Sequence, residues 1–352
     1  MLKQSTSMTP ARFRTLDSMR TYDARTIDST GAFLIGQLEV LDRTIHEPLQ
    51  EFTWSRDINV RSDVTMGSDF SSFTNSAMAS VGGINPTKKA FISKESSTLP
   101  NVSVDIGKTA SPLIPWGLEL GYSIFELESS MQLGQSIDDQ KFTAVRMKHQ
   151  QDTDIQVYLR DSEIPNAYGL VNSPQPPTSG NVAQAGASSP TGNTTSLKWI
   201  DKTPAAILQD VNTLLNAVWQ ATGFTFCPRV LLLPPAQFSY ISGALISNAG
   251  NMSILTYLKQ NSVSLAVNGV ELDIRPLKWL TGTSNGNALA PAAANRMVAY
   301  TQRYDLVRFP MVPMQGLPVQ FKGAAQIRPY VCKLGLVEFV YPETVGYADG
   351  IG

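Results

Sequence analysis

Few side chains in this 352-residue chain belong to the types that commonly carry catalysis or bind metal ions. There are two cysteines, Cys227 and Cys332, and two histidines, His46 and His149. A thiol nucleophile needs a partner base. Cys227 stands before a proline at the start of an apolar run, and Cys332 lies in a strand pattern, so we expect both to be buried structural thiols. His149 has lysine and glutamine neighbours, and we expect it to be an exposed helical residue.

The acidic residues also lack the spacing of a catalytic or metal-binding pair. Asp138 and Asp139 match the negative charge that is preferred at a helix N-terminus. Asp152 and Asp154 are expected on a solvated face of the same helix. The sequence contains neither a Gly-x-x-x-x-Gly-Lys-Ser/Thr phosphate loop nor Gly-x-Gly-x-x-Gly. We therefore predict no catalytic residue, no cofactor site and no metal site.

Charged residues are scarce throughout the chain. The 28 Lys and Arg and 29 Asp and Glu give a formal net charge of −1 and make up 16% of the residues, whereas about 25% is usual. This balance argues against a basic nucleic-acid-binding protein and against a polyacidic tail. Hydrophobic content is ordinary at 42%, so small polar residues replace the missing charge. Such a surface suits burial against other protein, and a neutral β-rich domain is the alternative.

Length and targeting signals narrow the class further. The chain is long enough for one large core or two modest cores. Two cysteines are too few for a disulfide framework. The first 25 residues contain no continuous apolar run, so they do not match a secretory signal. No apolar run approaches the roughly 18 residues that cross a membrane, and we expect folding in a reducing cytoplasm.

The first third of the chain predicts an arm followed by a hairpin. Residues 1–55 predict an extended arm with one or two short helices. Within residues 56–112, strand-like runs at 57–61 and 102–106 flank a stretch rich in Ser, Asn and Gly, which predicts a long β-hairpin with a polar tip. Long loops inside a domain usually have a function. A disordered surface loop remains the alternative.

A long helix and an α/β unit follow. Ser136 and Asp139 have the spacing of a capping box, and the lack of Gly and Pro predicts a helix over 138–162. The uncharged residues 174–196 predict a loop or a flexible hairpin, and a candidate domain boundary. Thr203–Pro204 predicts a helix start, and the apolar residues after it recur at helical spacing. The remaining predicted elements are strands at 115–125, 229–233, 270–275, 297–301 and within 317–347, and short helices near 236–242 and 253–260.

This order of elements resembles the major capsid proteins of tailed double-stranded DNA bacteriophages, whose fold is shared with encapsulins. Gly169-Leu-Val-Asn172, after the long helix, resembles the Gly-Leu-x-Asn turn of one capsid family. An ordered C-terminal series strengthens the resemblance, with one departure at Leu336, where the family often has a second glycine. The series comprises Met297-Val-Ala-Tyr300, Phe309-Pro-Met311, Pro318-Val-Gln320, Gly323, Pro329, Gly335-Leu-Val-Glu338, Pro342 and Tyr347-Ala-Asp-Gly-Ile351.

Sequence motifs support the resemblance over residues 110–352. For residues 1–110 it rests only on the order of the predicted elements. It implies the α+β tailed-phage capsid (Johnson) fold, with an N-arm, an extended β-hairpin loop, a peripheral domain with a long spine helix and an inserted axial α/β domain. The implied divisions are the N-arm 1–55, the extended loop 56–112, the peripheral domain 113–199 with its spine helix 138–162, the axial domain 200–310 and the return strands 311–352.

The implied function is self-assembly into pentamers and hexamers of an icosahedral head that encloses packaged double-stranded DNA. The implied partners are other copies of the chain, portal, scaffold or head-decoration proteins, and the DNA through non-specific contact. Assembly would occur in the host bacterial cytoplasm, without a membrane, a cofactor or catalysis. Two alternatives are an encapsulin-like shell around a protein cargo and a soluble hydrolase with an unrecognised site. The predicted inter-subunit contacts are Met78, Gly82, Gly83, Lys88 and Lys89.

Overall fold

Two β-sheets, a separate hairpin and one long helix organise this mixed α+β protein. The computed structural model describes residues 50–352 except 81–88, 96–98, 127, 129–136, 160–163, 165–166, 177, 247–251 and 286–291. Nearly all of the predicted arm, residues 1–55, lies outside the described residues. Along the chain, runs of consecutive strands and runs of consecutive helices follow one another, which fits the predicted α+β class.

The described helices and strands have the following bounds. The helices are α1 (Trp54–Asp57), α2 (Ile137–Tyr158), α3 (Pro204–Ala221), α4 (Pro235–Gly243), α5 (Ile254–Asn261) and α6 (Val263–Asn268). The strands are β1 (Asn59–Arg61), β2 (Phe70–Ala79), β3 (Ser103–Pro112), β4 (Ile114–Ser123), β5 (Thr178–Asn181), β6 (Val230–Leu233), β7 (Asp273–Pro276), β8 (Arg296–Tyr300), β9 (Val307–Gly316), β10 (Gln320–Lys322), β11 (Ala325–Leu334), β12 (Glu338–Phe339) and β13 (Val345–Asp349).

The first sheet is built around strand β11. It has the order β1-β9-β11-β10, with β12 paired to β9 and β4 paired to β11. Strand β4 pairs antiparallel with β11 along its whole length, from Ile114 opposite Leu334 to Ser123 opposite Ala325. Strand β1 instead runs parallel to β9.

Strands β2 and β3 form the hairpin, and they pair in register from Phe70 opposite Pro112 to Ala79 opposite Ser103. The prediction of its first strand was wrong, because the run at 57–61 contributes β1 to the first sheet. Val60 in that run packs against the buried core. The Ser-rich stretch that had been assigned to the tip is itself strand as far as Ala79, since backbone pairing and not apolar side chains holds it.

The second sheet has the order β5-β13-β8-β6-β7, and both of its faces are covered. Along β6, Val230 and Leu232 belong to one apolar core, while Leu231 and Leu233 belong to another. Alternate residues of a strand point to opposite faces. A strand buried on both faces is therefore continuously apolar, which confirms the buried strand predicted for this run.

Helix α3 covers one face of the second sheet. The hydroxyl of Thr203 accepts a hydrogen bond from the amide of Ala206 at 3.3 Å, which confirms the predicted N-cap. The predicted apolar stripe is also confirmed, since Val211, Leu215 and Val218 are buried in this core.

Two segments join the second sheet from outside residues 200–310. The stretch 174–196, predicted to be a loop or a flexible hairpin, contains β5, which pairs with β13 and not within the stretch itself. The next residue, Val182, is buried in the core beneath α3. The C-terminal segment 311–352 is divided between the sheets, because β9 to β12 lie in the first sheet and β13 lies in the second.

Helix α2 ends at Tyr158, earlier than the predicted end at residue 162. The chain returns over the helix end at residues 169–172. There the amides of Leu170 and Val171 donate to the carbonyls of Val157 and Tyr158, at 2.7 and 3.2 Å. These carbonyls therefore find partners outside the helix, and the helix stops there.

Candidate assembly surface

Both cysteines are buried. Cys227 precedes β6, and Cys332 lies on β11. Burial raises the pKa of both thiols, for Cys332 to about 12. Because the thiolate is the nucleophile, these residues act as structural thiols, as expected. Among the described residues, no group of three or more His, Cys, Asp and Glu side chains is placed to hold a metal ion.

One serine lies in a sequence motif that is typical of hydrolase nucleophiles. Residues 282–286 read Gly-Thr-Ser-Asn-Gly, which matches the Gly-x-Ser-x-Gly elbow. That elbow requires a strand immediately before it, whereas here Gly282 follows the 3-10 helix Lys278–Leu280. Ser284 is exposed in a 3-10 turn. Ser284 therefore does not lie on the strand-to-helix turn that forms a nucleophile elbow.

The prediction for His149 was wrong, because this side chain is buried on α2. Its ring lies edge-on to the Trp116 ring of β4, with 5.0 Å between the centroids. The buried Nε2 atom has no hydrogen-bond partner among the described residues. Desolvation lowers the pKa of His149 below its ordinary value of 6.5, and the nearby Asp152 carboxylate opposes this only in part. The polar neighbours along the chain lie on other sides of the helix and did not reveal this contact.

Acid should therefore destabilise the subunit through His149. The unfolded chain binds the proton more tightly, so the free energy of unfolding should fall as the pH drops below about 6.5, by at most about 1.4 kcal/mol per pH unit. His149→Phe should remove this part of the pH dependence. Denaturant unfolding of the wild type and the variant between pH 7.5 and 5 measures it. Parallel pH profiles for the wild type and His149→Phe would contradict the assignment.

The expectation of a solvated face was wrong for Asp154, whereas Asp152 remains partly exposed. Asp154 is buried, and its carboxylate accepts hydrogen bonds from the amides of Thr53 and Trp54 at 3.1 and 3.2 Å and from Trp279 Nε1 at 2.7 Å. Asp152 accepts a hydrogen bond from Trp116 Nε1 at 2.9 Å. Asp154 thus satisfies the free amides at the start of α1. Both carboxylates therefore hold α2 against neighbouring elements.

The Gly-Leu-x-Asn turn has a structural explanation. The amide of Gly169 donates to Asn172 Oδ1 at 2.8 Å. A Cβ atom on Gly169 would lie 2.3 Å from the carbonyl carbon of Tyr158. Only glycine lets this turn approach the end of α2 so closely.

The hairpin presents an apolar stripe to solvent. Met78 lies directly opposite Val104, and Ser76 lies opposite Ile106, so these side chains share one face. Met78, Val104 and Ile106 are 73%, 57% and 69% exposed. Contiguous exposed apolar side chains are typical of protein interaction sites. The geometry equips this stripe to bind an apolar surface of another protein.

The structure describes only part of the predicted contact set. Met78 lies on the stripe, and the Lys89 ammonium lies 5.5 Å from the centre of the Phe91 ring, which is highly exposed. Gly82, Gly83 and Lys88 lie outside the described residues. The prediction missed Val104 and Ile106, although their alternation with Ser103 and Asp105 was a visible signal of a one-faced strand.

None of the described helices combines the length and apolar character needed to cross a bilayer. A family model described as major capsid protein matches residues 88–351. No curated protein matches the chain.

Solved structures show the same fold at low sequence identity. The capsid of Myoviridae phage XM1 has 12% identity and a TM-score of 0.68, covering 90% of this chain and 98% of the other. The capsid of a native GTA particle has 10% identity and a TM-score of 0.55, covering 90% and 97%. Mycobacterium phage Bobi has 12% identity and a TM-score of 0.54, covering 92% and 98%.

Proposed function

Because this chain belongs to the major capsid protein family, we propose that its hairpin is the element through which neighbouring copies bind in a closed shell. The protein is a structural component of a capsid and has the fold of tailed-phage capsid proteins. The observation that carries the proposal is the exposed stripe of Met78, Val104 and Ile106. In a subunit that functioned alone, exposing this apolar stripe to water would be unfavourable in free energy.

A second exposed apolar group is a candidate receptor for the stripe on the neighbouring copy. Ile124 and Phe125 follow β4, and Phe321 lies on β10 at the same end of the first sheet. The Ile124 amide donates to the Ala324 carbonyl, in the turn between β10 and β11. Contact between two different patches repeats around a ring when the rotation closes, as pentamers and hexamers require.

We further assign the elements to the parts of a capsid subunit. Residues 1–55 would be the N-arm, 56–112 the extended loop, and α2 the spine helix of the peripheral domain. Residues 200–310 would be the axial domain, and the pairing of β13 with β8 supports including residues 345–349 in its sheet. The rest of 311–352 would return to the peripheral domain.

The packaged genome would be double-stranded DNA, held through non-specific contact, since the net charge of −1 offers little for tight binding. Portal, scaffold and head-decoration proteins would be its further partners, with assembly in the bacterial cytoplasm. The family assigns a structural role, so no enzymatic activity is proposed.

Replacing the stripe should block assembly and leave the subunit folded. The double variant Val104→Ser, Ile106→Ser removes two exposed side chains that would each contribute roughly 1.5–3 kcal/mol when buried. The protein concentration needed for particle formation should therefore rise at least about tenfold. Sedimentation velocity and negative-stain microscopy of the full chain measure this, with Asp105→Ser, on the opposite face, as the matched control.

Particles of normal size at normal concentration from the double variant would exclude the stripe as the contact. If the wild-type chain remained a small oligomer under all conditions, the assembly proposal itself would fail. Nuclease-protected DNA inside particles purified from infected cells would support a viral head. A protein cargo in its place would support the encapsulin-like alternative.

A further inference from the structure

A fully buried carboxylate lies where the hairpin meets the first sheet. The Glu338 side chain on β12 has no solvent exposure. One oxygen, Oε2, accepts from Arg308 Nε at 2.7 Å and from Arg61 Nη1 at 3.3 Å. The other oxygen, Oε1, accepts a hydrogen bond from the Ser71 hydroxyl. A buried carboxylate with this many charged and neutral donors strongly fixes the groups around it.

The sheet register brings the three charged side chains together. On β9, Arg308 stands opposite Glu338 of β12 on one side and opposite Asn59 of β1 on the other. Arg61 lies two residues beyond Asn59 and therefore on the same face. All three charged members of the cluster thus belong to the first sheet, and the hairpin adds a further residue to it.

The hairpin joins this cluster through Ser71 and Ser72. Ser71 is the only buried residue in β2. Arg61 Nη1 also donates to Ser71 Oγ at 3.0 Å and to the Ser72 carbonyl at 3.1 Å. Because Ser71 and Met78 are seven residues apart, they lie on opposite faces of the strand. Holding Ser71 against the subunit therefore turns the Met78 face away from it.

We propose that Glu338, with Arg61, Arg308 and Ser71, is a positioning site for assembly that fixes the direction in which the hairpin leaves the subunit. The proposal rests on the proposed function of the hairpin as an inter-subunit contact. A hairpin whose base can pivot would present the same stripe in many directions, and closed shells require one repeated geometry. Glu338 thus fixes the orientation of the hairpin and does not itself contact the neighbouring copy.

Ser71→Ala tests the proposal, because it removes the hydroxyl through which the hairpin reaches Glu338. The pairs between Glu338 and the two arginines stay in place, as does the hydrogen bond from Arg61 to the Ser72 carbonyl. Ser72→Ala is the matched control, since Ser72 keeps its carbonyl and its side chain lies on the opposite face. In Ser71→Ala, amide exchange at the base of β2 and β3 should accelerate about tenfold. The melting temperature should stay close to that of Ser72→Ala. Negative-stain images should show particles of mixed size and incomplete shells.

Each outcome decides between the two proposals. Unchanged exchange, or faster exchange together with uniform particles of wild-type diameter, would overturn the positioning role. A lowered melting temperature would reduce Ser71 to a stabilising residue, unless Glu338→Gln, which retains an acceptor for Ser71, lowers the melting temperature equally and still gives uniform particles. If the wild-type chain formed no particles, the proposed function would fail, and the exchange comparison would still decide whether Ser71 holds the hairpin.

Discussion

Gly169→Ala should strongly destabilise the folded subunit. The added Cβ would lie 2.3 Å from the Tyr158 carbonyl carbon and 2.5 Å from the Leu159 amide nitrogen. Both are backbone atoms, so no side-chain rotation relieves the clash. The turn must move away, and the hydrogen bonds from Leu170 and Val171 to the end of α2 would be lost with it. The free energy of unfolding should fall by roughly 3 kcal/mol or more.

Gly121→Ala is the control for this substitution. Gly121 lies on β4, where a Cβ would meet no atom within 4 Å. Denaturant unfolding of the two variants and the wild type should therefore separate Gly169→Ala clearly from the other two. Equal stability of all three chains would mean that the turn packs less closely on α2 than the structure has it.

The sequence predicted those elements whose signals are local. Helix α3 has a cap at Thr203, a proline after it and an apolar stripe, and all three act within a few residues. Strand β6 was predicted because burial on both faces forces a continuous apolar run. The fold class was also predicted, since the order of helices and strands does not depend on the element bounds.

Residues whose surroundings come from distant parts of the chain were not predictable in the same way. Asp154 has polar neighbours along α2, yet its carboxylate meets amides about 100 residues earlier. His149 is covered by Trp116, which lies on β4. A polar residue is usually exposed, and only the tertiary fold shows when it is buried with a partner.

The hairpin was predicted with the wrong first strand for a related reason. The alternation of apolar and polar residues identifies a strand when one face is buried. Most of β2 and β3 is exposed on both faces, so burial did not shape their sequences. Glu338 was visible only as part of a family motif, and its place among two arginines and Ser71 required the sheet register.

Shortening the hairpin should abolish assembly altogether while the subunit still folds. Deleting residues 76–106 joins Asn75 directly to Gly107, which stand opposite each other in the native pairing. Asn-Gly is the preferred sequence for a two-residue type I′ hairpin turn, and the flanking Thr74 and Lys108 are already paired. The deletion removes the whole stripe, Met78, Val104 and Ile106, and leaves the Ser71 anchor in place.

The subunit should tolerate this deletion because residues 76–79 and 103–106 are exposed and contribute nothing to its cores. Ordering each backbone residue costs about 1–2 kcal/mol, so the shorter hairpin also has less conformational entropy to lose. The melting temperature and circular dichroism should match the wild type, while sedimentation should show only subunits or small oligomers. Loss of folding would place the hairpin in the subunit's own core, and normal shells would make it a decoration. Only the combination of a folded subunit with failed assembly identifies a segment whose stabilising contacts lie on another copy of the chain.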